Sequence, residues 1–221
     1  TIKRGDMSMK KKFIGCFSIA VAVLVIGCFV YQFHATPKKA KADTVPSLVE
    51  EMKNIIDKKI KDDPVLQASS NPNDYIKDNT AYDKLIQMGV KRVPEMLTYL
   101  ESSDGSGLEN YLTALAVEDI MDCNLKETEY AWEDSKDFVT QFSDMVKDRK
   151  KIVKNAMEKA KNVDEVEKVL QPYGLVATET ALEMQNTDSS NNKYEKYVKA
   201  IQKKSTLKKS ERSYLQKEIL N

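Results

Sequence analysis

Glu118 and Asp122 stand four residues apart with Asp119 between them, a spacing that puts two carboxyl groups on one face of a helix. Two carboxyls held ~5–9.5 Å apart across a cleft can hydrolyse a glycosidic bond, one as acid and the other as base or nucleophile. The plainer reading is a solvated acidic face, since acids are common along this part of the chain. Other chemistries find fewer residues. The sole histidine, His34, sits at the edge of an apolar segment, so the rest of the chain has no material for a Ser-His-Asp or Cys-His centre. Cys123 is the one cysteine outside that segment, which excludes a disulfide and a cysteine-based zinc site there. It reads as a small core residue near a helix end, because nothing cationic flanks it. Gly105 and Gly107 lack the Lys-Ser/Thr that completes a phosphate loop. Residues 119–128 lack the ligand order of a calcium loop. No catalytic residue, cofactor or metal is therefore expected. Tyr75, Tyr82, Tyr99 and Tyr111 either pack at the edge of a core or rim a binding groove.

Charge is divided unevenly. Residues 1–42 hold 8 basic and 1 acidic side chains, residues 43–146 hold 10 and 22, and residues 147–221 hold 17 and 11. An acidic middle does not suit nucleic acid, whose binding needs Lys and Arg to replace phosphate counterions. The basic tail mixes Lys with Glu, as solvated helix faces do.

Residues 13–33 are uncharged and almost wholly apolar, and Lys10, Lys11 and Lys12 precede them. As a helix they reach ~30 Å, the thickness of a bilayer's hydrocarbon core. Three fates fit. The segment stays as a single transmembrane helix, or it is a signal segment cleaved after Ala42, with Ala40 and Ala42 as the small residues. In the third, Val25-Ile26-Gly27-Cys28 is a lipidation motif that modifies Cys28. A retained helix partners the chain with the membrane through residues 13–33, and all three fates place the remainder outside the cytoplasm, at the cell membrane or secreted. Lys3-Arg4-Gly5-Asp6 back-translates to a purine-rich ribosome-binding sequence, so residues 1–8 are expected to lie outside the natural product.

The remainder reads as helices. Leu48, Val49, Met52, Ile55, Ile56 and Ile60 recur at helical spacing, with Thr44 or Ser47 as cap. Thr80-Ala81-Tyr82-Asp83 fits a capping box, and Gly89 stops that helix. Met96, Leu97 and Leu100 face inward from the next helix; Leu108, Tyr111, Leu112, Leu115, Ala116 and Ile120 do so from the one after. Ser135 can cap a long helix with Phe138, Phe142, Met145, Val153 and Met157 on its stripe. Asn162-Val163-Asp164-Glu165 fits a second capping box, with Val166, Val169 and Leu170 inward. Residues 34–44 read as a tether, 45–185 as the helical domain and 186–192 as a linker. Residues 193–221 read as a basic helical hairpin whose apolar stripes dock on the acidic middle, the alternative being that its lysines reach an anionic membrane or wall polymer.

The string Gly89-Val90 through Val93-Pro94-x-Met96-Leu97-x-x-Leu100, then a glycine turn and Leu112-x-x-Leu115-Ala116, resembles a HEAT-type helix pair. The larger stretch from Asp74-Tyr75-Ile76-Lys77 to Trp132 resembles a module of uncharacterised exported or membrane-anchored helical proteins of Gram-positive bacteria. That resemblance implies helix packing, either HEAT-like or as an irregular bundle, and no activity.

The expected protein is an all-α extracytoplasmic domain after one N-terminal membrane segment. Its expected role is a non-enzymatic binding or interaction module at the cell surface, with a protein or cell-wall partner. A carboxylate-dependent wall hydrolase and a structural spacer are the alternatives.

Overall fold

Thr44 opens the first helix because its hydroxyl takes the orphan amide of Ser47 while the Ser47 hydroxyl returns to the Thr44 amide. Pro46 suits the first turn of this helix, α1 (Val45–Asp62), having no amide to leave unsatisfied. The computed structural model describes residues 43–187, 192–202 and 207–221, all within one compact unit, residues 43–221. The membrane segment expected at 13–33, with Cys28 and Ala42, lies outside the described residues, as does most of the expected linker. Among the described residues no helix is long and apolar enough to cross a membrane.

The described residues are all-helical, without strands. A 3-10 turn (Pro64–Ala68) and the short α2 (Pro72–Ile76) follow α1. Next come α3 (Thr80–Gln87), a 3-10 turn (Val90–Arg92), α4 (Val93–Ser102) and α5 (Leu108–Met121). A further turn (Leu125–Glu127) leads to the long α6 (Ser135–Lys159), then α7 (Val163–Leu170), a turn (Gln171–Tyr173) and α8 (Gly174–Thr187). The chain ends with α9 (Asn192–Gln202) and α10 (Lys209–Tyr214), the latter running on as a π turn (Leu215–Ile219).

Helix α5 is the centre, because α1, α3, α4, α6 and α8 all pack on it. A helix covered on every side needs apolar or hydrogen-bonded residues all round. Leu112, Ala114, Ala116, Val117 and Met121 are fully buried, as is Thr113, whose hydroxyl donates to the Glu109 carbonyl. The one-sided stripe expected here is therefore too narrow, and Leu115 is only half-buried. In α4, Met96 and Leu100 are fully buried and Leu97 is half-buried.

Two caps differ from expectation by one residue. Asn79, not Thr80, caps α3: its Oδ1 accepts from the Tyr82 amide at 3.3 Å. Its Nδ2 also donates to the Met52 carbonyl at 3.3 Å, tying α3 to α1. Asp134, not Ser135, caps α6, accepting from the amides of Lys136 and Asp137 at 2.9 Å each. Asn162 caps α7 as expected, accepting from the Glu165 amide at 2.9 Å.

The last elements complete the core. Helix α9 packs on α8 and α7, burying Tyr197 and Val198. Helix α10 meets the Val90–Arg92 turn, and Leu215 and Leu220 are buried. Gln216 Nε2 donates to the Glu179 carbonyl at 2.8 Å, and Arg212 Nε lies 3.6 Å from the Glu179 carboxylate, which is 2% exposed as a residue.

Candidate functional site

The acids singled out by spacing do not form a pair. Glu118 points inward and is 5% exposed. Its Oε1 accepts from the Leu125 amide at 2.8 Å and from the indole Nε1 of Trp132 at 3.2 Å. Burial pushes its pKa up, and those two donors, with Lys126, pull against that. Asp119 Oδ2 accepts from the Tyr82 hydroxyl at 2.7 Å. Asp122 ends α5 in the left-handed conformation, φ 51°, and is exposed. Glu118 is thus a staple that closes residues 118–132 into a loop, turned inward while Asp122 faces solvent.

Of the tyrosines read as core-edge packing or as a groove rim, Tyr75 and Tyr111 act as packing residues. The Tyr75 hydroxyl donates to the carbonyls of Leu66 and Ser69, both at 2.8 Å. Tyr111 packs on Trp132 with ring centroids 4.8 Å apart, and Phe138 meets the other side of the indole at 5.2 Å. Lys126 Nζ stands 4.4 Å from the indole centroid. Cys123 is half-buried and unpaired; burial and then Glu118, Asp122 and Asp119 push its thiol well up, away from the reactive thiolate.

A different part of the loop reaches a cleft. Its open volume is about 610 Å³, within the range of ligand sites between helices. The loop of residues 125–132 forms one end, α6 one wall, and α7 with the Gln171–Tyr173 turn the other. The floor is Ile152 and Ala156, one turn apart on α6, with Ala160, the extended residue that caps the end of that helix. Tyr130 and Tyr173 close one end, edge to face at 6.4 Å between centroids. The Tyr130 hydroxyl donates to Asp148 Oδ2 at 2.9 Å and the Tyr173 hydroxyl to Glu129 Oε2 at 2.6 Å. Burial and these carboxylates push both phenols up, so both stay protonated donors.

Val169 borders this cleft and is 51% exposed, although the spacing placed it inward. On an eight-residue helix it lies about 100° from Leu170, at the margin of the buried stripe. Lys151 and Lys159 on α6 and Lys168 on α7 complete the rim.

Sequence reasoning passed over this site. Ile152 and Ala156 look like ordinary core positions, and residues 125–134 look like a polar loop. The available signal was Val169, a valine between Lys168 and the inward Leu170. Among the described residues no group of three or more His, Cys, Asp or Glu is placed to hold a metal ion. The chain matches no protein-family model, no curated protein and no solved structure.

Proposed function

We propose that this chain is a non-enzymatic helical binding module, displayed outside the cell from its N-terminal segment, with the α6–α7 cleft as its recognition site. The observation that carries the reading is the cleft itself: an apolar floor, an exposed valine at its lip, and two tyrosines fixed by carboxylates. Fixed side chains lose little freedom on binding, which favours recognition. The apolar residues 13–33 behind three lysines support display at the membrane. The contact between α4 and α5 supports the reading of residues 74–121 as a HEAT-like pair within an irregular bundle.

A photo-crosslinking residue in place of Val169 tests this in intact cells, with one in place of Val65 as control. Val65 is 79% exposed and does not line the cleft. A discrete adduct at position 169, absent at 65 and lost when Ala156→Phe fills the floor, is expected. Equal adducts at both positions sink the reading. Hydrolysis of a wall glycan that disappears in Glu129→Gln and Asp148→Asn while folding persists would install the hydrolase in its place.

A further inference from the structure

We infer that the cleft between α6 and α7 takes a single-chain anionic amphiphile, a long-chain carboxylate, its head group among Lys151, Lys159 and Lys168 and its chain along Ile152, Ala156, Ala160 and Val169. This rests on the cleft being the recognition site.

Hydrogen-bonding capacity around the rim gives the head group its sign. The rim holds three carboxylates and three ammonium groups. Each carboxylate is already engaged: Glu129 by the Tyr173 hydroxyl, Asp148 by the Tyr130 hydroxyl, and Glu165 by the Lys161 amide at 2.8 Å. Lys151, Lys159 and Lys168 make no ion pair or hydrogen bond among the described residues. Neighbouring lysines of α6 are engaged: Lys147 pairs with Asp144, Lys150 with Glu183 and Lys154 with Glu158. Three unengaged ammonium groups thus stand along the cleft rim, and an ammonium group offers donors only. An incoming anion completes their hydrogen bonding with charge assistance. An incoming cation meets three unpaired positive charges and carboxylates already partly satisfied.

The floor gives the body of the ligand. Lys151 and Lys159 are eight residues apart on α6, about 12 Å along the axis. Ile152, Ala156 and Ala160 form an apolar track beside that rise, and Val169 faces it from α7. The track is already largely buried, so the apolar surface left to cover is chiefly Val169, 51% exposed, which a chain reaches and a short anion held at the lysines does not. The volume is that of a small ligand rather than a macromolecule.

A diazirine-bearing laurate, applied to the full chain in zwitterionic nanodiscs, tests the inference, with labelled peptides mapped by mass spectrometry. Saturable labelling confined to residues 148–173, competed by laurate and not by butyrate, is expected. The double variant Lys159→Gln/Lys168→Gln should melt as the parent does and lose labelling about tenfold. A dodecyltrimethylammonium analogue that labels the same peptides equally would overturn the inference, as would labelling unchanged in the double variant. Val169-specific adducts in cells with no laurate labelling would remove the ligand class and leave the binding module standing.

Discussion

Three residues carry strain or burial that a substitution can expose. Gly174 has φ 49°, and a Cβ there would stand 2.1 Å from the Asp122 carbonyl oxygen. The tight approach is held by the Asn124 amide, which donates to the Pro172 carbonyl at 2.8 Å. Gly174→Ala should therefore force α5 and α8 apart and cost more than about 3 kcal/mol, read by chemical denaturation. Asp122 is the opposite case. It holds φ 51° with an exposed side chain, so Asp122→Gly should leave stability unchanged or raise it by up to about 1 kcal/mol. Glu118 supplies the pH dependence. Its folded pKa is raised, mainly by burial, so its contribution is complete below the unfolded value and fades as pH rises through the folded one. Glu118→Gln keeps an oxygen for Leu125 and Trp132 and should flatten the fall of stability as pH rises above the ordinary carboxylate range, whereas Glu118→Ala orphans two buried donors and should cost about 2–4 kcal/mol. A Glu118→Gln variant as pH-sensitive as the parent would show that another group is responsible.

Between helices, the depth of each face decides the outcome. Leu112 is fully buried at the centre of the fold, so Leu112→Ala should cost about 2–5 kcal/mol, and half-buried Leu115→Ala clearly less. Thermal or denaturant unfolding of the two variants side by side checks that order. Helix identity was legible in the sequence because long apolar periods specify it: α1, α6 and α7 begin within a residue of their expected caps. What the period could not supply was tertiary choice. Asn79 and Thr80 are both good caps, and the tie is broken by the contact of Asn79 with Met52 on a distant helix. A helix enclosed by five others has no single stripe, so its pattern misleads about Leu115. The cleft was illegible for a related reason: a track of Ile152 and Ala156 is the same string whether a neighbour covers it or a groove stays open above it.

The molecule as a whole depends on its late elements. Tyr197, Val198, Leu215 and Leu220 are buried, and Arg212 and Gln216 reach Glu179 in α8. The acidic middle alone is not their seat, since α9 lies on α7 and α8 while α10 touches the Val90–Arg92 turn. Apolar burial rather than net charge thus fixes the tail. Truncation after Asn192 should lower the melting temperature by more than about 4 °C and leave α8 with an unpaired buried carboxylate. An unchanged melting curve would mean that residues 193–221 form a separate body. High salt should soften the attachment only slightly, because the Glu179–Arg212 contact is shielded from solvent.

Trp132 is the single tryptophan of 221 residues. It sits 3% exposed between Tyr111 and Phe138, on the loop that also carries Glu129 and Tyr130 into the cleft. Its indole nitrogen is held by Glu118 and its face is shadowed by Lys126. The intrinsic emission of the protein is therefore a one-site optical signal, blue-shifted while the loop is closed and moving red if Glu118 lets go. A ligand that entered the neighbouring cleft and shifted the loop should change that light, readable without attaching a dye.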